Sequence, residues 1–357
     1  MSLLARVRPE IATFTPYASA RRSGFDASVR LDANESPWDA ADDGLAVARG
    51  LNRYPSPQPE ALRRRLATLY RVDASNLWVG RGSDEAIDLL LRAFCRAGVD
   101  NIVSVAPTFG MYRIAARLQG AAWRTLDLAP DDDFALDDAR LLALVDDNTK
   151  IVVLCSPNNP SGTLFHGERI ERLARALAGR ALLVVDEAYV EFAGVASAAA
   201  LVEHLPNLAV LRTLSKAHAL AGARIGALLA APEIADLVGR IAAPYPLPSD
   251  SAHAAFAALE PAALERTRAR IALTIAERER VAAALVRGRG VVRVWPSAGN
   301  YLLVRFDDAT ARFLELLDAG ILVRDFSAQP ALAGCLRISI GRPHENDALL
   351  AALGATA

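Results

Sequence analysis

Between residues 60 and 245, short apolar runs of strand length alternate with stretches of helical period, and this alternation limits the possible folds more than any other feature. The runs are LWVG (77–80), NIVSVA (101–106), WRTLDL (123–128), KIVVLCS (150–156), ALLVVDEA (181–188), AVLRTLS (209–215) and IGALLA (225–230). Several are apolar at successive positions, as strands covered on both faces are. The pattern predicts an α/β fold: a three-layer αβα large domain over 46–245 with a mostly parallel, seven-stranded sheet. Beyond APYPLP (243–248) the pattern changes to a long charged helical stretch near 261–288, then VVRVW, YLLVRF, ILVRDF and CLRISIG. That order predicts a smaller α+β domain over 246–357. Residues 1–45 lack a clear period, and we read them as an arm that packs on a domain or a partner subunit and forms part of the small domain.

Composition excludes several functions. Net charge is −1 with no long block of one sign, so nothing draws the chain to nucleic acid or to an anionic membrane. No stretch reaches the ~18 uninterrupted apolar residues of a membrane span, and MSLLARVRPEIATF has no signal-peptide core, so a cytoplasmic protein is expected. Cys95, Cys155 and Cys335 are scattered without a CxxC pair and the five histidines show no ligand spacing, so neither a disulfide framework nor a metal site is expected.

Ligands of open parallel sheets collect at the carboxyl ends of the strands, and there the polar residues lie: GRGSDE, PTFGMY, SPNNPSG, DEAY and SK each follow or end a run. Five such ends describe one crevice. GRGSDE resembles the opening of a GxGxxG dinucleotide turn, but Glu85 stands at the third glycine position, where close helix packing needs no side chain. A helix capped by Ser83, offering the amides of Ser83 and Asp84 to one phosphate, accounts for it better. A nucleotide-binding oxidoreductase or sensor is the competing class that this turn alone supports.

Asp186 and Glu187 end a strongly apolar strand, where a carboxylate needs a partner; a structural ion pair and a carboxylate holding a protonated ring nitrogen both fit. SPNNPSG by itself is only a turn. Lys216 is one of two lysines, with Lys150, in a chain whose Lys and Arg number 40. It precedes the small, apolar AHALAG, a setting that favours the neutral amine a nucleophilic lysine needs and that a guanidinium cannot supply. Arg224 could clamp a phosphate in a fork, a Ser215/Lys216 hydrolase dyad lacks SxxK spacing, and His218 reads as packing rather than as a base.

SPNNPSG, VVDEAY and TLSKAHALAGARIG, in that order, resemble the fold-type I pyridoxal-phosphate enzymes. LDANESP, LNRYPSPQP, GRGSDE, PTFGMY, APYPLP, PSAGNYLLVRF and CLRISIGRPHEN narrow the resemblance, over nearly the whole chain, to the histidinol-phosphate aminotransferase family. The resemblance implies a homodimer with pyridoxal 5'-phosphate as cofactor. Lys216 would hold the cofactor as a Schiff base and shuttle a proton between the substrate Cα and the cofactor C4′. Asp186 would pair with the ring nitrogen, and Tyr189 and Asn159 would bond the ring oxygen. The Ser83 and Asp84 amides, Ser215 and Arg224 would hold the cofactor phosphate, Phe109 would stack on the ring, and Tyr54 would reach the neighbouring subunit's cofactor.

The same resemblance implies ping-pong amino transfer between histidinol phosphate and 2-oxoglutarate. One anion subsite must then accept a phosphate or a carboxylate, and Arg337, Arg324 and Tyr17 match the family's clamp. An aromatic or broad-specificity aminotransferase and a threonine-phosphate decarboxylase-like lyase share these motifs. Phe109 stands where many relatives have Tyr, Ser161 where Thr is usual, and His218 where Phe is common.

Overall fold

The structure is a computed structural model and describes residues 3–16, 33–44, 47–48 and 50–355. All seven apolar runs form strands of one sheet: β1 (Leu77–Gly80), β2 (Asn101–Ala106), β3 (Ala122–Asp127), β4 (Thr149–Cys155), β5 (Leu182–Asp186), β6 (Leu208–Thr213) and β7 (Gly226–Leu229). Their order is β1-β7-β6-β5-β4-β2-β3, and β7 runs antiparallel to both its neighbours while the remaining pairs are parallel. Six strands therefore point one way, and the end where they finish is also where β7 begins.

The central strands β4, β5 and β6 are buried at every position, which is why they read as unbroken apolar runs. Alternate residues serve the two faces. Val152, Leu154, Leu183, Val185 and Val210 join one core with helices Glu60–Tyr70 and Gly167–Ala176. Ile151, Val153, Leu182, Val184 and Leu211 join the other with helices Ser83–Phe94, Met111–Gln119 and Pro232–Ile241. Each fully buried aliphatic side chain contributes roughly 1.5–3 kcal/mol, so this double cover fixes the sheet that presents the site. The edge strand β3 is mostly open to solvent, as WRTLDL, with polar residues at alternate positions, requires.

A second, wholly antiparallel sheet has the order β10-β11-β9-β8, from β8 (Val291–Val294), β9 (Tyr301–Phe306), β10 (Arg324–Asp325) and β11 (Cys335–Ser339). Leu302, Val304, Leu336 and Ile338 pack against helices Pro261–Leu285, Ala309–Asp318 and Pro343–Ala352. Leu303, Trp295 and Cys335 join the core of the large sheet instead, so the two sheets share a side. ILVRDF yields only two strand residues. Gly320, at φ 76°, closes the preceding helix: its N–H donates to Leu317 O and that of Ile321 to Leu316 O at 2.7 Å, which removes Ile321 from any ladder.

The helix after β1 also starts differently from expectation. Gly82, not Ser83, holds the cap position, at φ 86°, a conformation natural to glycine, and Ser83 is the first helical residue. The first stretch of the arm packs on the large sheet's helices: Val7 is buried and the Arg8 N–H donates to Ala93 O at 2.9 Å.

Candidate active site

The loops at the shared strand end form a cleft open to solvent and lined by Ser83, Asp84, Phe109, Asp186, Tyr189, Ser215, Lys216 and Arg224, among others. The sheet brings these eight together as the polar residues at successive strand ends lead one to expect: Asp186 ends β5, and the others follow or precede a strand at the same end.

Lys216 sits in the loop joining β6 to β7, which the Thr213–Gly226 pairing closes at its base. Inside the loop the Leu214 N–H donates to Ile225 O at 3.0 Å and the Thr213 hydroxyl to Ser215 Oγ at 2.9 Å. Among the described residues Lys216 Nζ makes no hydrogen bond or ion pair; it stands 5.6 Å from the Tyr189 ring centroid. Burial of the amine, and then the Arg337 charge, lower its pKa from the ordinary lysine value, against the pull of Asp84 and Asp186. This is the environment of an amine that can act as nucleophile and base.

At the opposite wall helix Ser83–Phe94 presents its first amides, which no side chain caps. Gly226 lets β7 pass beneath them: a Cβ there would stand 2.3 Å from Ser83 N, closer than any side chain permits. Arg224, at φ 55°, projects beside this N-terminus, its guanidinium 3.0 Å from Asp84 Oδ2. Unpartnered helical N–H groups with a guanidinium beside them form an anion site.

Asp186 closes the floor. Its Oδ2 accepts from the Tyr112 hydroxyl at 2.8 Å and its Oδ1 from the Ala188 N–H at 3.1 Å. Burial raises its carboxyl to about 6, while Tyr112, Ala188 and Lys216 pull it down. Glu187, next in sequence, faces the other way into a charge cluster: it accepts from Ser197 and from the Ala198 N–H, with Arg212 at 3.7 Å. Arg212 also bonds Glu191 at 2.7 Å and lies over the Tyr70 ring. The ion-pair reading of the DE pair thus holds for Glu187, while Asp186 has hydrogen-bond donors but no ion pair among the described residues. His218 lies on the Glu187 side of the strand, near Glu191 and Arg212; burial keeps its pKa low, and it lines no part of the cleft.

Behind Tyr189 a relay connects the two sheets. Asn159 Nδ2 donates to Tyr189 Oη at 3.3 Å, and Arg337 donates to Asn159 Oδ1 at 2.6 Å. Arg337 also lies over the rings of Tyr301 and Phe326, with its Nε unpartnered. Arg324 is paired with Arg337 in the β10–β11 register, and both guanidiniums lie near the Phe326 ring, at 6.0 and 5.6 Å from its centroid.

Tyr54 is half exposed, stacks on Tyr245 at 4.6 Å and is not among the residues that line the cleft of its own chain. Tyr17 falls outside the described residues. Tyr112 and Tyr301 were not singled out from the sequence, although both stand in segments that were. Tyr301 donates to Asn158 O at 2.7 Å and meets Tyr189 edge-on.

An unpaired amine, an under-neutralised carboxylate and an anion site in one cleft of a mixed α/β sheet define an enzyme that holds a charged, ring-bearing group. The chain belongs to the aminotransferase class I and II family, whose model matches residues 28–353. It is 54% identical, over 99% of its length and 97% of the relative's, to the histidinol-phosphate aminotransferase of Stenotrophomonas maltophilia. The structure of histidinol-phosphate aminotransferase from Sinorhizobium meliloti, in complex with pyridoxal-5'-phosphate, is similar at 30% identity and a TM-score of 0.77, covering 84% of this chain and 82% of that one. L-threonine-O-3-phosphate decarboxylase from Porphyromonas gingivalis is also similar, at 25% identity and a TM-score of 0.73, over 85% of this chain and 90% of that one.

Proposed function

We propose that this chain is a pyridoxal-phosphate-dependent aminotransferase that exchanges the amino group between histidinol phosphate and 2-oxoglutarate, working as a homodimer. The observation that carries the reading is the shared cleft: Lys216, Asp186, Phe109 and the Ser83 helix start line one space. That donor set fits a flat aromatic aldehyde bearing a phosphate. Lys216 supplies the amine, Asp186 a carboxylate for a ring N–H, Phe109 an aromatic face, and the Ser83 and Asp84 amides with Ser215 and Arg224 an anion site. When bound, the cofactor supplies an electron sink for the pair released as the substrate Cα–H bond breaks.

The chain's own residues do the rest. Lys216 would hold the cofactor through Nζ and would carry the substrate Cα proton on the same atom, which its lowered pKa suits. Asp186, ionised above about pH 6, keeps the ring nitrogen protonated. Tyr189 and Asn159 set the position of the ring oxygen. Arg337 and Arg324, register partners in the small sheet, receive the substrate phosphate or carboxylate. Tyr17 belongs to the same clamp in this reading. Tyr54, half exposed and not among the residues lining its own cleft, reaches the partner's cofactor phosphate.

Rates with histidinol phosphate, phenylalanine and threonine phosphate, compared side by side with 2-oxoglutarate as acceptor, test the substrate. A preference for phenylalanine, or carbon dioxide release from threonine phosphate, contradicts it. Mixing Lys216→Arg chains with Tyr54→Phe chains tests the dimer, because one site of each mixed pair regains both residues and therefore activity.

A further inference from the structure

Tyr112 is the second residue of helix Met111–Gln119, wholly buried, and among the described residues its hydroxyl is the only side chain that hydrogen-bonds Asp186. A buried phenol must place its proton on an acceptor, and here that acceptor is a carboxylate oxygen at 2.8 Å, a charge-assisted bond. The Ala188 N–H takes the other oxygen at 3.1 Å, so both oxygens are tied and the carboxylate cannot rotate. Its remaining lone pairs are left for the cleft. Phe109, three residues earlier, meets the Tyr112 ring edge-on at 5.5 Å. One short segment after β2 therefore supplies both the aromatic wall of the cleft and the hydroxyl that holds its floor.

We propose that Tyr112 is a positioning residue for Asp186: its hydroxyl fixes the carboxylate in the orientation, and as the anion, that a cofactor ring N–H requires. This rests on the function proposed above. The bond has a fixed sense. Burial, and then the Asp186 charge, push the Tyr112 phenol well above its ordinary value, so it stays a donor. Burial works against the Asp186 charge, and Tyr112 is the strongest of the groups that oppose it. The other charged groups acting on Asp186 are Lys216, which favours its ionised form, and Asp84, which disfavours it. Without the hydroxyl, Asp186 protonates more readily and loses the lone pair that would accept the ring proton.

The test uses the cofactor-free full-length chain and two ligands, pyridoxal phosphate and an analogue carrying C–H in place of the ring nitrogen. Only the first can use Asp186. In the wild-type chain pyridoxal phosphate binds more tightly. Tyr112→Phe is expected to reduce that preference about tenfold, the worth of a hydrogen bond to a charged group, while the analogue's Kd stays within about twofold. Asp186→Asn should abolish the preference, and adding Tyr112→Phe should then change nothing further. Equal weakening of both ligands, no change in the preference, or a full additional effect in the Asp186→Asn background would overturn the assignment to Tyr112. Should the wild-type chain show no preference, the role given to Asp186 falls, and this inference with it. If Tyr112→Phe does not fold, Tyr112→3-fluorotyrosine, a stronger donor of nearly the same shape, should raise the preference; an unchanged preference would overturn the proposal.

Discussion

Two polar regions lie on either side of the sheet at the end of β5, and they are built on opposite principles. On one side Glu187, Arg212, Glu191 and Ser197 are paired with one another, although Arg212 Nε and one Glu191 oxygen have no hydrogen-bond partner among the described residues. On the other, Lys216 has no hydrogen-bond partner and Asp186 has two donors but no cation within ion-pair distance among the described residues. Buried charge is costly unless paired, so a chain that pairs one set and leaves its neighbours short is holding the second set ready for something that arrives later. The comparison separates an ion-paired carboxylate from one without a cation at adjacent positions, which residue type alone could not do.

The largest expected effect falls on the unpaired side. Lys216→Arg should lower amino transfer by at least about a thousandfold while the melting temperature changes little, since Nζ makes no hydrogen bond or ion pair among the described residues. Activity surviving in that variant would break the comparison. Asp186→Asn should cost on the order of a hundredfold in kcat/KM without destabilising the cofactor-free chain, because the amide keeps the shape and removes a buried charge.

Glu187→Gln should show the reverse pattern. Breaking the pair leaves Arg212 partly uncompensated and should destabilise by about 3 kcal/mol in denaturant melts, with kcat per folded molecule near wild type. The smallest effect is on pH dependence. Asp186 is raised from 3.8 to about 6 by burial, so the stability linked to its protonated form is complete below 3.8 and lost as pH rises through 6. Thermal melts of the cofactor-free chain should therefore show Asp186→Asn gaining on wild type between pH 4 and 7, by on the order of 2 kcal/mol. A constant gap across that range would place the low-charge environment elsewhere.

Much of this was legible in the sequence, for reasons that can be named. The β4 to β6 strands announced themselves because both faces are covered, and Lys216 stood out because the chain uses arginine almost everywhere else. The crevice followed from polar residues at successive strand ends. The division of labour between Asp186 and Glu187 was not legible, because it depends on which residue faces which layer, and that needs the register. Tyr112 was hidden for a related reason: in sequence it is one more aromatic at a helix start, and only β5 brings Asp186 to its hydroxyl. Ser83 lost the cap to Gly82 because the backbone turns there at positive φ, and ILVRDF shrank to Arg324–Asp325 because the Gly320 cap claimed the amide of Ile321.

The account turns on Lys216 Nζ as the atom that binds the cofactor. Borohydride reduction of the cofactor-loaded protein, followed by peptide mapping, tests this directly, with Lys150 as the internal control since it is the only other lysine and is paired with Asp100 at 3.5 Å. The account predicts one stable pyridoxyl label, on the peptide containing Lys216. A label on Lys150, or none on Lys216 in loaded and active protein, would contradict it.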